Sequence, residues 1–125
     1  MTNPNLIVVP SDIEGRGVIT TQCISKGEII EICPVIVLPE KDVKLIHQTK
    51  LHDYYFDWRN GKCAICLGLG SIYNHARQPN ADYRMDYVNR TIDFYCIQDI
   101  DAGEEITVSY IHDNLQEQQL WFDVH

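Results

Sequence analysis

Residues 71–81 read Ser-Ile-Tyr-Asn-His-Ala-Arg-Gln-Pro-Asn-Ala, SIYNHARQPNA. The stretch is too polar for a core strand. Its Asn, Pro and Ser content is that of turns rather than a helix. An Asn-His pair stands four residues before a Pro-Asn pair, with a tyrosine just upstream. This is the composition of a loop built around a site, and its flanks say what kind.

Upstream, CAICLGLGS (63–71) is apolar and closes in glycines, after a turn at RNGK (59–62). Downstream, ADYRMDYV (81–88) and TIDFYCI (91–97) predict a hairpin across Asn89-Arg90. Then QDIDAGEE (98–105) reads as a loop, ITVSY (106–110) as a strand, and DNLQEQQLWF (113–122) as a terminal helix. Near the start, LIVVP (6–10) predicts a strand stopped by Pro10, SDIEGRG (11–17) a loop and VITTQCI (18–24) a second strand. SKGE (25–28) has turn chemistry, and EIIEICPVIVL (28–38) is strand-like but broken at Pro34. Residues 40–50 suit a short helix with Pro39 in its first turn, and LHDYYFDW (51–58) a strand. Many short strands with two weak helices and no long crossover predict a mainly β domain with irregular loops.

The chain has 125 residues, which predicts one domain, 1–125, large enough to fold without staples. No apolar run approaches the ~18 residues of a membrane span, and the N-terminus has no basic-then-apolar leader pattern. An intracellular protein is expected. Its five cysteines, an odd number, are then reduced thiols. Cys63 and Cys66 form a CxxC, but a second ligand pair at zinc spacing is missing and the thioredoxin-like context is absent, so no metal is assigned. The expectation is small side chains buried on a strand; a metal-binding or redox role is the alternative. A net charge of −8 argues against direct nucleic-acid binding, which needs a basic surface. It suits a basic partner, or only solubility.

Three motifs carry chemistry. Glu-Gly-Arg-Gly-Val (14–18) has two glycines flanking an arginine, which lets backbone approach a ligand closely, although a plain turn explains it too. It lacks the third glycine and the strand-to-helix setting of a dinucleotide loop. The second motif is Tyr-Asn-His-Ala-Arg-Gln-Pro-Asn (73–80) and the third Gly-Glu-Glu-Ile-Thr-Val-Ser-Tyr (103–110). In this order and spacing, GRGV, NHARQPN and GEEITVSY resemble the SET domain of protein-lysine methyltransferases over most of the chain, about 6–122. DYYF (53–56) matches a tyrosine-bearing strand of small SET domains, and 39–60 reads as a short insert. Two departures stand out. Ala76 replaces the usual serine after Asn-His, and no cysteine-rich zinc segment follows Tyr110.

The resemblance implies a β-clip of small curved sheets with a C-terminal pseudoknot, closed by the Asn-His loop. It implies methyl transfer from S-adenosylmethionine to the ε-amine of lysine in a basic protein or peptide, histone-like proteins among them. Tyr110 is placed at the transfer site, where it orients the amine and polarises the methyl. With a phenol pKa near ~10 it is a poor base at neutral pH. Tyr54, Tyr83 and Tyr73 are candidates to line the lysine channel, though each also suits a packed strand aromatic. Val108 stands where relatives limit the number of methyls added. Cofactor contacts map onto Arg16, Gly17 and Val18, onto Asn74 at the methionine end, and onto backbone atoms of His75 near the adenine. Trp121 or Phe122 is a candidate to stack on the adenine, with helix packing the plainer role. A second copy of the chain is a candidate to complete the peptide groove. The competing reading is a catalytically inert SET-fold module that binds protein partners, for which Ala76 is the only lesion.

Overall fold

The structure, a computed structural model, describes residues 4–13 and 15–109. Nine strands, one α-helix and two short 3-10 turns are found among them. A two-stranded antiparallel sheet joins β1 (Leu6–Pro10) to β2 (Arg16–Thr20). A five-stranded antiparallel sheet has β3 (Ile29–Leu38) at its centre, with β5 (Cys63–Cys66) and β4 (Tyr55–Asp57) on one side. On the other side lie β8 (Thr91–Cys96) and β7 (Ala81–Asp86). A third, parallel pair consists of β6 (Asn74–His75) and β9 (Thr107–Val108). Helix α1 (Glu40–His47) follows β3, with Pro39 at its N-cap. The mainly β reading with short helical segments holds.

Pro34 does not break β3 as the sequence predicts. It is the last residue paired with β8, opposite Thr91, and Val35 is the first paired with β5, opposite Cys66. The missing N–H therefore falls where the strand changes neighbours, a place that tolerates proline. The Pro34 carbonyl still accepts from Leu67 N at 2.9 Å. A bulge earlier in β3, between Ile29 and Glu31, lets two consecutive side chains, Ile30 and Glu31, both turn inward.

Other expectations need trimming. The strand foreseen over 51–58 is confined to Tyr55–Asp57, because Lys50–Asp53 coils into a tight turn capped by Thr49 Oγ1 on Leu51 N. The β7–β8 turn spans Tyr87–Arg90 rather than two residues. Asp86 accepts from the backbone N–H of Val88 and Asn89, and Arg90 takes a left-handed φ of 56°. These N–H bonds, the one from Asn89 first, hold the Asp86 carboxyl below its ordinary range. Cys63 and Cys66 are buried on β5, as expected of strand residues. The terminal helix expected over 113–122 lies outside the described residues.

The core runs under the five-stranded sheet. Phe94 lies at its centre, with Tyr73 at 4.8 Å, Tyr83 at 5.6 Å and Phe56 at 6.3 Å between ring centroids. Val18, Ile24, Ile92, Ile100, Ile106 and Val108 extend it toward the smaller sheets. Burying a side chain of this size contributes roughly 1.5–3 kcal/mol. The segment after Ile97 must therefore pack down on β2, which places it beside the motif-bearing loops.

Candidate functional site

The three motifs meet at residues 103–108. On one side this segment bonds to β2: Ile106 N donates to Val18 O (2.8 Å), Gly103 N to Thr20 O (2.7 Å) and Thr20 N to Glu104 O (3.3 Å). On the other side its last two residues pair in parallel with β6, Asn74 opposite Thr107 and His75 opposite Val108. The Gly-Arg-Gly strand, the Glu-Glu segment and the Asn-His pair thus lie side by side, although 31 positions separate Asn74 from Glu105 and 94 separate Ser11 from Glu105.

Gly17 is where they converge. A Cβ there would overlap the Glu105 carboxylate and stand 2.9 Å from Asn74 Nδ2. Glycine is required by close approach, not by an unusual φ. Asn74 is buried, and its Nδ2 donates to Glu105 Oε2 (2.7 Å) and Arg16 O (2.8 Å), with Ser11 Oγ at 3.1 Å. Ser11 Oγ in turn donates to Glu105 Oε1 at 2.7 Å. The Arg16 side chain is exposed while its carbonyl faces inward to Asn74. Carbonyl and carboxylate acceptors and amide donors collected around a bare glycine fit an amino-acid cofactor, whose ammonium needs acceptors and whose carboxylate needs donors. Arg16, Gly17 and Asn74 are the residues that could hold it.

Ala76 is accounted for by main chain. Its N–H donates to Val108 O at 3.1 Å, so the loop stays attached to β9 without a side-chain hydroxyl at 76. Val18 on β2 and Val108 on β9 are both fully buried.

The structure separates the channel candidates. Tyr83 is 7% exposed on β7, with its ring edge-on to Phe56 at 5.3 Å. Tyr73 is 1% exposed and its hydroxyl donates to Glu31 Oε1 at 2.5 Å. Burial and then the Glu31 charge push the Tyr73 phenol well above its usual range. Tyr54, just before β4, is 37% exposed, and its carbonyl accepts from Ser71 Oγ at 2.9 Å. That bond ties the DYYF stretch to the start of the Asn-His loop. Tyr110, Trp121 and Phe122 lie outside the described residues.

Three residues escaped sequence reasoning. Asn80 donates from Nδ2 to Glu105 O (2.9 Å) and accepts at Oδ1 from Thr107 N (2.9 Å), so one side chain fastens the loop to the last motif. Glu105 organises Asn74. Glu31, 2% exposed, accepts from Tyr73 Oη and Leu69 N and so anchors the glycine-rich approach to Asn74. A charged residue inside the apolar run EIIEICPVIVL was the available signal for Glu31. A hollow of about 560 Å³ beside α1, lined by Glu40, Val43, His47 and Tyr55 among others, shares no residue with the motif cluster.

Small curved sheets and three loops brought to one glycine by a parallel two-residue pairing are the arrangement of a protein methyltransferase of the SET type. Residues 15–111 match the SET domain family. A curated relative, the histone-lysine N-methyltransferase specific for H3 lysine-37 of Schizosaccharomyces pombe, is 35% identical over 111 residues, covering 88% of this chain and 71% of that protein. A crystal structure from Plasmodium falciparum, described as a candidate histone methyltransferase, superposes with a TM-score of 0.71 at 28% identity, covering 90% of this chain and 98% of that one. A chain of the Chaetomium thermophilum Polycomb Repressive Complex 2 shares the fold, with a TM-score of 0.75 at 21% identity, over 93% of this chain and 17% of its own length. The chain belongs to the SET-domain family: it is a protein-lysine N-methyltransferase that uses S-adenosylmethionine as methyl donor.

Proposed function

We propose that this enzyme methylates a lysine in a histone tail, with Tyr110 at the transfer site. The observation that supports the substrate is the 35% identity to a histone H3 methyltransferase over 88% of the chain. The acidic balance of the chain, −8, points the same way, because a histone tail is basic.

The chemistry sets the roles. S-adenosylmethionine supplies an electrophilic methyl group on a sulfonium. The lysine amine must arrive neutral, and with a free pKa near ~10.4 that costs on the order of 4–5 kcal/mol at pH 7. A dry channel lowers this cost by desolvating the ammonium. Tyr54 and Tyr83 supply aromatic wall to that channel, and Tyr73 backs it from the core. The Tyr110 hydroxyl orients the amine toward the methyl. Val108, a small side chain, leaves room at the transfer site, and Tyr83 is the residue that could narrow it. Arg16, Gly17, Val18 and Asn74 hold the methionine end, His75 serves the adenine through its backbone, and Trp121 or Phe122 covers the ring.

Incubation with labelled S-adenosylmethionine and separate core histones tests the reading. Label on one histone, lost by at least about a hundredfold in Tyr110→Phe, is expected for a group that organises the transition state. Equal labelling by both proteins removes Tyr110 from the site. Cofactor binding without label on any histone removes the substrate assignment.

A further inference from the structure

We infer that Glu105 is a positioning residue: its carboxylate fixes which way round the Asn74 amide stands, and through it the acceptor offered to the methionine end of S-adenosylmethionine. The inference rests on the proposed cofactor role of Asn74. An asparagine amide has two faces of opposite character, a donor –NH2 and an acceptor oxygen. Which face meets the cofactor decides whether an ammonium is attracted or repelled.

Here the choice is forced. Asn74 Nδ2 lies 2.7 Å from Glu105 Oε2 and 2.8 Å from Arg16 O. An ionised carboxylate and a backbone carbonyl accept only. Turning the amide over would set its oxygen against both, exchanging two attractive contacts for two repulsive ones at a part-buried site. With Nδ2 held toward β2, Oδ1 is left as the other arm of the same planar amide. Glu105 is itself held, since Ser11 Oγ donates to Oε1 at 2.7 Å. The same segment fixes the Asn74 backbone, because Thr107, two residues on, is its partner in the β6–β9 pair. Backbone and side chain of Asn74 are thus set from one strand.

A glutamine at 105 would undo only the side-chain part. Its amide both donates and accepts, so at position 105 either orientation of Asn74 finds a partner, only Arg16 O still opposes the turn, and the shape is unchanged.

Calorimetric titration of S-adenosylmethionine into wild type, Glu105→Gln, Asn74→Ala and the double variant tests this, with melting curves and steady-state kinetics alongside. Glu105→Gln is expected to weaken cofactor binding about tenfold, ~1.4 kcal/mol. It should raise the cofactor KM with kcat held within about twofold. In the Asn74→Ala background the same change is expected to have no further effect on affinity, because Glu105 acts through Asn74. Equal losses in both backgrounds, or a lowered melting temperature with unchanged affinity, would overturn the assignment. Wild type that binds no cofactor would sink the cofactor reading itself, a distinct outcome. If Glu105→Gln fails to fold, Ser11→Ala carries the test by releasing one oxygen of Glu105. About threefold weaker binding is then expected, and unchanged affinity overturns the inference.

Discussion

Asn80 and Thr107 hold each other reciprocally: Thr107 N donates to Asn80 Oδ1 at 2.9 Å, and Asn80 N donates to Thr107 Oγ1 at 3.3 Å. The Asn80 amide adds a bond to Glu105 O at 2.9 Å. This pair closes the loop that began with Asn74, and so fixes the C-terminal motif beside the Gly-Arg-Gly strand.

Asn80→Ala removes the side-chain bonds to Glu105 O and Thr107 and leaves the buried Thr107 N–H without its acceptor. A loss of about 1–3 kcal/mol is expected, read from denaturant midpoints. Amide exchange should quicken first at Thr107 and Val108, and unchanged protection there would contradict the clasp.

Gly17→Ala places a methyl group against the Glu105 carboxylate and Asn74. Overpacking at a buried node costs typically ~1–3 kcal/mol. Cofactor affinity should fall more than tenfold, since the backbone around Arg16 must move. Calorimetry checks this, and wild-type affinity in a folded variant would show that Gly17 is spacing alone.

Tyr73→Phe deletes the donor to Glu31 Oε1 and leaves that buried carboxylate to the Leu69 N–H and the Cys33 thiol. Stability should drop by about 1–3 kcal/mol. The double variant Tyr73→Phe with Glu31→Gln should recover part of the loss, because an amide at 31 carries no charge to bury. Urea titration of wild type, Tyr73→Phe, Glu31→Gln and the double variant reads the coupling.

Burial pushes the Cys96 thiol up to about 11 from an ordinary 9.0, with Glu28 and Asp99 adding to the effect. Between those values the unfolded chain has lost this proton and the folded chain keeps it. The stabilisation is therefore complete below about pH 9 and declines as pH rises toward 11. Cys33, through its bond with Cys66 and through burial, is shifted the same way. Denaturant midpoints at pH 8, 9 and 10 should fall in order, less steeply in Cys96→Ala. At pH 8 a maleimide should label Cys23, the one exposed cysteine, quickly and the four buried ones only on unfolding.

The motifs were legible as sequence because each has chemistry of its own. A turn-rich NHARQPN cannot be a core strand, and GEEITVSY joins a charged turn to a β-branched strand. The strands of the hairpin after the loop, the helix after Pro39 and the burial of the CxxC followed from local pattern and composition. Pro34 misled because local rules treat proline as a strand breaker, whereas its effect depends on which neighbour the N–H would have faced. The tyrosines were the least legible. A tyrosine on an alternating strand has the same local signature whether its ring packs on Phe94, as Tyr83 does, or stands part-exposed, as Tyr54 does.

Sequence alone determined the family, the mainly β class and the three segments that had to meet, since those depend on residue types within a few positions of one another. Only the tertiary structure decided how they meet. It placed the Glu105 carboxylate against Asn74, made Asn80 the clasp on Thr107, and gave Glu31 a buried partner in Tyr73. Each of these is a contact across 27 to 42 positions. Such contacts depend on strand register and on the direction a side chain leaves its strand. A one-residue slip in the β6–β9 pairing would turn every one of that strand's side chains to the opposite face, and nothing within a local window of residues carries that information.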